Sequence, residues 1–223
     1  MDDFDLIIFD CDGTLTDSEL VNNQALIDVL AESGFTGYTL DHAFKHWVGT
    51  TVSNTMLSVQ IETGRTPPAD IVTRYVARVA ELQKTNLKPI TGADDLVAAV
   101  KDKYKTCVAS NGERSNVIAS LELTGLMPYF HEDHVFTKIQ VKNPKPYPDL
   151  FLFAAAQMGA DPARCLVIED SAAGVRAGAA AGMTVWGFTG SSHDPQKHEK
   201  TLADAGANAV FSRLIHMQER LIP

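Results

Sequence analysis

Cysteine is scarce in this sequence, which has three among 223 residues, Cys11, Cys107 and Cys165. Their odd number and wide spacing fit neither a disulfide framework nor a zinc site, and each lies in or beside a short apolar run. The sequence also lacks a secretory signal and any apolar run near the roughly 20 residues that span a bilayer. We therefore expect free, buried thiols in a cytoplasmic protein that has no membrane partner.

Basic residues are also in short supply, with 19 Lys and Arg against 28 Asp and Glu, which gives a formal net charge of −9. Nucleic acid attracts basic surfaces, so this balance argues against a nucleic-acid partner. Hydrophobic residues make up 45% of the chain, enough for a packed core. The length fits one large domain, or one domain with a smaller insertion, and we expect a monomer or a weak homo-oligomer.

Short apolar runs alternate with helical patterns along most of the chain, which indicates a parallel sheet covered by helices and an α/β fold. Most of these runs are apolar at consecutive positions, as is typical of strands buried on both faces. The predicted strands are Leu6–Phe9, Thr106–Ser110, Val135–Phe136, Cys165–Ile168, Thr184–Phe188 and Ala209–Phe211. The predicted helices between them are Asp94–Lys103, Arg114–Leu123, Pro148–Met158, Ala172–Ala181 and Pro195–Ala205.

The segment 18–86 interrupts this alternation, because it has helical patterns and no strand-like run. Apolar residues at helical spacing form one stripe within 20–30 and another within 71–82. Such stripes either pack against each other or form a partner-binding groove, and packing is the commoner case. Because the segment is too long for a connecting loop, we predict a helical domain at 18–86, inserted into a core of 1–17 and 87–223.

Polar side chains follow several of the predicted strands, where ligands gather in open α/β sheets. They are two carboxylates after the first strand, a Ser-Asn pair after the second, an acidic pair after the fourth and a lysine in a Pro-rich turn: Asp10, Asp12, Ser110, Asn111, Glu169, Asp170 and Lys145. Each motif alone has an ordinary explanation as a turn or a solvated surface group. Together they predict that carboxylates, a hydroxyl and an ammonium meet in one small volume.

These motifs resemble those of the haloacid dehalogenase superfamily, in its phosphotransferase branch. The segment Phe9–Leu15 is similar to the first motif, Ser110 to the second, Lys145 in Lys-Pro-x-Pro to the third, and Glu169–Ser171 with Gly174 to the fourth. The resemblance covers essentially the whole chain, with the motifs in order. It implies a Rossmann-like core with a small all-helical cap, as in the subgroup that includes sugar-phosphate phosphatases and β-phosphoglucomutase.

The resemblance implies a catalytic role for four residues. Asp10 would attack phosphorus and form an aspartyl-phosphate, which is covalent catalysis by a carboxylate. Asp12 would protonate the leaving alcohol and then deprotonate the hydrolytic water. Strict alternation along an extended strand would put both side chains on one face, which makes the pair geometrically plausible. Ser110 and Lys145 would hold the phosphoryl oxygens, and Lys145 would neutralise charge in the transition state.

A divalent cation is also implied, because two carboxylates beside a phosphate repel it. Mg²⁺ favours oxygen ligands and keeps several waters. Its predicted ligands are the Asp10 carboxylate, the Asp12 main-chain carbonyl and Asp170, with Glu169 bound directly or through water. The cofactor predicted from the sequence is therefore Mg²⁺, and the partner is a small phosphate ester.

Substrate contacts are predicted for residues of both domains. Beside the phosphate, Gly13 allows a tight turn of the backbone, and Asn111 follows the second strand. From the cap, Gly49, Thr50 and Thr51 are expected to face the substrate. Their polarity suits a hydroxylated ester such as a sugar phosphate or a sugar-acid phosphate.

Other activities of the superfamily remain open alternatives. Dehalogenases and phosphonatases lack a counterpart of Asp12, although Lys45 is a candidate for the Schiff-base lysine of a phosphonatase. Similar β-phosphoglucomutases carry a His where this chain has Asn22, and an Arg near Val52 that grips the distal phosphate. Those replacements favour a phosphatase over a mutase. A binding or regulatory protein of the same fold is a third alternative, which the complete set of motifs disfavours.

The orientation of two residues stays open at this point. Pro144 precedes Lys145, where relatives often have Gly, and its fixed φ makes the loop stiffer or displaces the lysine slightly. Trp47 faces either the substrate or the core of the cap, and its pattern favours neither.

Overall fold

A computed structural model describes residues 4–47 and 50–222 of the chain. Within them, six strands form one parallel sheet in the order β3-β2-β1-β4-β5-β6. The strands are β1 Leu6–Phe9, β2 Lys105–Ser110, β3 Val135–Thr137, β4 Cys165–Glu169, β5 Thr184–Phe188 and β6 Ala209–Phe211. This order reverses between β1 and β4, which makes their carboxyl ends the topological switch point of the sheet.

Helices connect the strands and form a separate group after β1. The separate group consists of α1 Ser18–Glu32, α2 Leu40–His46, α3 Val52–Thr63 and α4 Ile71–Asn86, and α5 Ala93–Val100 lies between this group and β2. The later ones are α6 Arg114–Leu123, α7 Asp149–Gln157, α8 Ala172–Ala180, α9 Pro195–Ala205 and α10 Leu214–Leu221. None of these described helices combines the length and the apolar composition that crossing a bilayer requires.

The chain divides into two compact units. One is the helical unit Ser18–Leu87, and the other contains the sheet and comprises the chain up to Asp17 and from Lys88 onward. The helical unit has its own apolar core, which includes Leu30, Phe35 and Val59.

The sheet is buried on both faces because its strands are apolar at consecutive positions. Along β1, Leu6 and Ile8 belong to the apolar cluster that includes α7 and α8, whereas Ile7 and Phe9 belong to the cluster that includes α5 and α10. All three cysteines are buried, free thiols, and they pack as small apolar residues in these clusters.

The predicted α/β class with a parallel sheet is confirmed, and each predicted strand lies within one residue of an observed one. One helix of the sheet unit, α10, was missed. It buries Leu214, Met217 and Leu221, whose spacing of three and four residues is that of one helix face, so the sequence did carry a signal for it.

The prediction that the stripe within 71–82 is buried by packing is only partly right. Val72 and Val76 of α4 are exposed, whereas Ile71 is buried. Polar contacts contribute to the pairing of α4 with α1, since the Arg78 guanidinium lies 2.7 Å from the Asp28 carboxylate. The apolar stripe of α4 is wider than the surface that packs against α1, so its outer residues remain exposed.

Candidate active site

The candidate site lies at the carboxyl ends of β1 and β4, where the order of the strands reverses. Asp10 directly follows β1, and its backbone N–H donates to the Ile168 carbonyl of β4 at 2.9 Å. Glu169 is the last residue of β4 and is fully buried. Because parallel strands end at the same edge, the two carboxylates become neighbours although they are far apart in the sequence.

The buried Lys145 ammonium is the cation of this site. Its Nζ donates to Asp10 Oδ1 at 2.6 Å, to Glu169 Oε1 at 2.7 Å and to the Ala109 carbonyl at 2.7 Å. These contacts use its three donors. The Phe151 ring of α7 covers the ammonium, with 4.8 Å between Nζ and the ring centroid. Lys145 is thus held in one position, which a lysine on the surface would not be.

Asn111 holds the backbone of Lys145 from the loop after β2. Its Nδ2 donates to the Lys145 carbonyl at 2.9 Å, and its Oδ1 accepts from the Lys145 N–H at 3.1 Å. This pair of hydrogen bonds fixes both the N–H and the carbonyl of Lys145. Lys145 reaches Asp10, so the proline does not keep the ammonium from the site. The predicted substrate contact of Asn111 stays a prediction, since its side-chain amide is engaged with the main chain.

Glu169 is locked in place by its neighbours in the loop and in α8. Its Oε2 accepts from the Ser171 N–H at 2.8 Å and from the Ser171 hydroxyl at 2.9 Å. Ser171 is also the N-cap of α8, because its Oγ accepts from the Gly174 N–H at 3.0 Å. A Cβ at Gly174 would lie 1.7 Å from Glu169 Oε1, so only glycine leaves room for this carboxylate.

The Asp170 carboxylate contacts the loop after β1. Its Oδ1 accepts from the Thr14 hydroxyl at 3.4 Å. Gly13 has a φ of +82°, and a Cβ there would lie 2.1 Å from Asp170 Oδ2. Gly13 therefore serves both the left-handed turn and the close approach of a carboxylate.

Asp12 and Ser110 complete the set of predicted catalytic residues. β1 ends at Phe9, so Asp10 and Asp12 lie in the turn after the strand, and strand alternation is not what orients them. Asp12 is exposed, and Ser110 is buried. Ser110 Oγ accepts from the Gly112 N–H at 2.9 Å, and a Cβ at Gly112 would lie near both Ser110 Oγ and Asp12 Oδ2. The two side chains therefore flank the same glycine.

Among the described residues, the carboxylates of Asp10, Glu169 and Asp170 surround the Lys145 ammonium, so negative charge is in excess at the site. Burial raises the pKa of Asp10 well above its ordinary value; Lys145 opposes this rise and Glu169 adds to it. Burial also raises the pKa of Asp170, with Glu169 and Asp10 adding to the shift. For Lys145, burial acts to lower the pKa, but Asp10 and Glu169 outweigh it and the pKa is raised.

This donor set fits a hard divalent cation. One carboxylate oxygen each from Asp10, Glu169 and Asp170 lie within 4.8 Å of one another. Mg²⁺ prefers oxygen ligands, and its charge would offset the carboxylates that Lys145 leaves uncompensated. The residues present therefore could hold Mg²⁺.

Comparison with known proteins identifies the family. A profile of the haloacid dehalogenase-like hydrolases matches residues 4–182. The chain belongs to the haloacid dehalogenase-like hydrolases. It is 32% identical to the 6-phosphogluconate phosphatase of Escherichia coli over 202 residues, which covers 90% of each chain. It is 29% identical to the fructose-1-phosphate phosphatase of the same organism, over 79% of this chain and 92% of the relative.

Solved structures of this hydrolase family have the same fold. A family member from Deinococcus radiodurans, crystallised with bound phosphate and sodium, superimposes with a TM-score of 0.87 at 30% identity. The match covers 99% of this chain and 96% of that one. The expected membership of the superfamily is therefore confirmed.

The predicted specificity residues of this hydrolase come from segment 18–86 of the sequence. Thr50 and Thr51 are exposed, while Gly49 lies outside the described residues. The Thr50 hydroxyl donates to the Trp47 carbonyl at 2.7 Å, and Thr51 is the N-cap of α3 through its Oγ and the Asn54 N–H at 3.2 Å. Both hydroxyls thus have local structural partners. Their substrate contacts stay predictions.

Trp47 belongs to the core of the helical unit, with 4% of its surface exposed. It also lines a cavity of about 180 Å³ within that unit, together with Asn22, Thr50 and Val52. The lining contains one carboxylate, from Glu19, and neither Lys nor Arg among the described residues. The cavity is polar without being cationic.

Two hydrogen bonds at this site were not predicted from the sequence. Asn111 contacts the backbone of Lys145, which lies 34 residues away, and His198 of α9 contacts the Asp170 carbonyl, 28 residues away. Asn111 stands in an ordinary turn pattern and His198 in a polar helix. Neither pattern carries a local signal for such a long-range hydrogen bond.

Proposed function

We propose that this hydrolase is a Mg²⁺-dependent phosphatase of a small phosphorylated metabolite, a sugar phosphate or sugar-acid phosphate, which reacts through an aspartyl-phosphate on Asp10. The observation that carries the proposal is the buried Asp10 carboxylate, held 2.6 Å from Lys145 Nζ at the switch point of the sheet. The names of the relatives support it, since two of them are phosphatases of 6-phosphogluconate and fructose 1-phosphate.

In the first half of the reaction, a carboxylate oxygen of Asp10 forms a bond to phosphorus as the bond to the ester oxygen breaks. Asp12 gives its proton to that oxygen, so the alcohol leaves neutral. Lys145 and the Ser110 hydroxyl donate to the phosphoryl oxygens, which carry more charge in the transition state than in the ester. The position of the Lys145 ammonium, 2.6 Å from Asp10 Oδ1, supports this role, since a phosphoryl oxygen that is bound next to Asp10 could take over that one of its three hydrogen bonds.

In the second half, the Asp12 carboxylate takes a proton from water, and the hydroxide forms a bond to phosphorus. The bond between phosphorus and the Asp10 oxygen breaks, which releases phosphate and restores the Asp10 carboxylate. Asp12 is the exposed member of the acidic group, and this supports its exchange of protons with an alcohol and then with water.

Mg²⁺ would be held by the Asp10 carboxylate, the Asp12 main-chain carbonyl and Asp170. Glu169 would contact it through water, because its two oxygens already accept from Lys145 and Ser171. Bound Mg²⁺ supplies positive charge that offsets repulsion between the phosphate and the carboxylates.

The helical segment 18–86 would act as a cap that supplies specificity, with contacts from Thr50 and Thr51. A phosphatase is favoured over a mutase by the residues of this segment. A mutase must grip a second phosphate while the first one reacts, and the cavity beside Thr50 offers no Lys or Arg among the described residues. Lys45 is exposed and pairs with Asp41 at 2.9 Å, so it lacks the desolvation that activates a Schiff-base lysine.

Release of inorganic phosphate from a panel of phosphometabolites, with Mg²⁺ and with chelator, tests the proposal. We expect turnover that needs Mg²⁺ and is lost in Asp10→Asn, while Asp41→Asn serves as a matched control on an exposed carboxylate. Turnover that persists in Asp10→Asn, or that ignores chelator, contradicts the mechanism. Conversion of one hexose phosphate isomer into another by the unmodified protein would identify a mutase.

A further inference from the structure

The carbonyl of Asp170 needs a hydrogen-bond partner outside α8. Asp170 precedes the N-cap Ser171, whose own carbonyl accepts the first intrahelical bond, from the Val175 N–H at 2.9 Å. The Asp170 carbonyl is therefore outside the ladder of the helix, and a backbone acceptor in this position requires another donor. The His198 ring meets this need, with 2.6 Å between Nε2 and the Asp170 oxygen. Because a carbonyl only accepts, the imidazole proton must be on Nε2.

His198 is itself placed by a well-anchored helix. α9 begins after Asp194, whose Oδ1 accepts from the Lys197 N–H at 3.2 Å and whose carbonyl accepts from the His198 N–H at 3.0 Å. One turn further on, Leu202 is fully buried in the apolar cluster that includes residues of α7 and α8. Residues four apart share a helix face, so the packing of Leu202 also turns His198 inward.

We propose that His198 is a positioning residue for the metal site: by donating to the Asp170 carbonyl, it fixes the peptide that carries the Asp170 carboxylate beside Asp10 and Glu169. This inference rests on the proposed function, in which Asp170 binds Mg²⁺. The Asp170 side chain has its own contacts: the Thr14 hydroxyl donates to Oδ1, and Oδ2 packs against Gly13. Asp170 is thus held at both its main chain and its side chain. Groups that orient metal ligands in this way raise metal affinity without touching the ion.

The test is direct binding of Mn²⁺, as a spin-active stand-in for Mg²⁺, to the full chain without substrate, followed by electron paramagnetic resonance. We expect His198→Leu and His198→Asn to raise the Kd for Mn²⁺ about 10-fold, because leucine has no donor and asparagine is too short to reach. His198→Gln should stay within roughly threefold of the unmodified protein, since its amide can donate from a similar distance. Thr201→Val removes a hydrogen bond to Lys197 in the same helix and should leave the Kd unchanged.

Kinetics separate positioning from general damage to the fold. In His198→Asn, the Mg²⁺ concentration that gives half the maximal rate should rise by the same factor as the Kd for Mn²⁺. KM for the phosphate ester, measured at saturating Mg²⁺, should not change. If His198→Asn instead only loosens α9, both the Mg²⁺ requirement and KM should change, and the Thr201→Val variant should show the same changes.

The possible outcomes distinguish failure of the positioning role of His198 from failure of the proposed phosphatase function. If the unmodified protein needs and binds the metal but the Leu and Asn variants retain its Kd, the positioning role is wrong and the phosphatase stands. A Gln variant as weak as the Asn variant also refutes the hydrogen bond. If the unmodified protein neither binds nor needs a divalent cation, both proposals fail.

Discussion

Replacing Gly174 by alanine should destabilise the protein through Glu169, although alanine is the better helix former. The new Cβ would lie 1.7 Å from Glu169 Oε1, so the buried carboxylate must leave its place beside Lys145 and Ser171. Breaking a buried ion pair costs about 3–5 kcal/mol, and the lower end applies because Lys145 keeps its contact with Asp10. The gain in helix propensity is about 1 kcal/mol.

The expected net loss is therefore about 2 kcal/mol in the free energy of unfolding, or a fall in Tm of roughly 4–8 °C for a chain of this size. Thermal and urea unfolding followed by circular dichroism measure it. The decisive control is the same change in a Glu169→Ala background, where the clash is gone and Gly174→Ala should stabilise by about 1 kcal/mol. An equal loss in both backgrounds would refute the reasoning.

Three further expectations concern groups around the site. Asn111→Leu should lower kcat about 100-fold with little change in KM, because Lys145 loses both main-chain hydrogen bonds; a raised KM at constant kcat would instead indicate a substrate contact. Lys45→Met should leave phosphate release unchanged, and its loss would favour a phosphonatase. Burial raises the pKa of the Cys11 and Cys107 thiols well above the ordinary value, so neither should react with Ellman's reagent at pH 8 until the protein unfolds; fast labelling of the native protein would contradict their burial.

The sheet and the meeting of its acidic groups could be predicted because both follow from simple periodicity. Consecutive apolar residues in Leu6–Phe9 and Cys165–Ile168 indicate parallel strands, and such strands end at one edge. The polar residues that follow them must then lie close together. This reasoning does not depend on side-chain orientation, which is why it succeeds from the sequence alone.

The contacts that orient these groups could not be predicted, because they depend on the tertiary approach of distant loops. Nothing in the local pattern indicates that the Asn111 amide faces the backbone of Lys145. The same holds for Trp47, which periodicity could not assign to the core of the helical unit. Strand alternation, the argument for pairing Asp10 with Asp12, does not apply, because β1 ends before both.

The two neighbouring carboxylates after β4 illustrate how one strand end can serve two purposes. Glu169 is still part of the strand, so its side chain is directed into the protein, where Gly174 leaves room for it and Lys145 neutralises it. Asp170 lies one residue beyond, and its carboxylate turns toward Gly13 instead. Both Glu169 oxygens already accept hydrogen bonds, from Lys145 and from Ser171, so the turn at the end of β4 gives the two carboxylates different surroundings. In the proposed mechanism, Glu169 holds the lysine that is proposed to bind phosphate, and Asp170 is proposed to hold the cation.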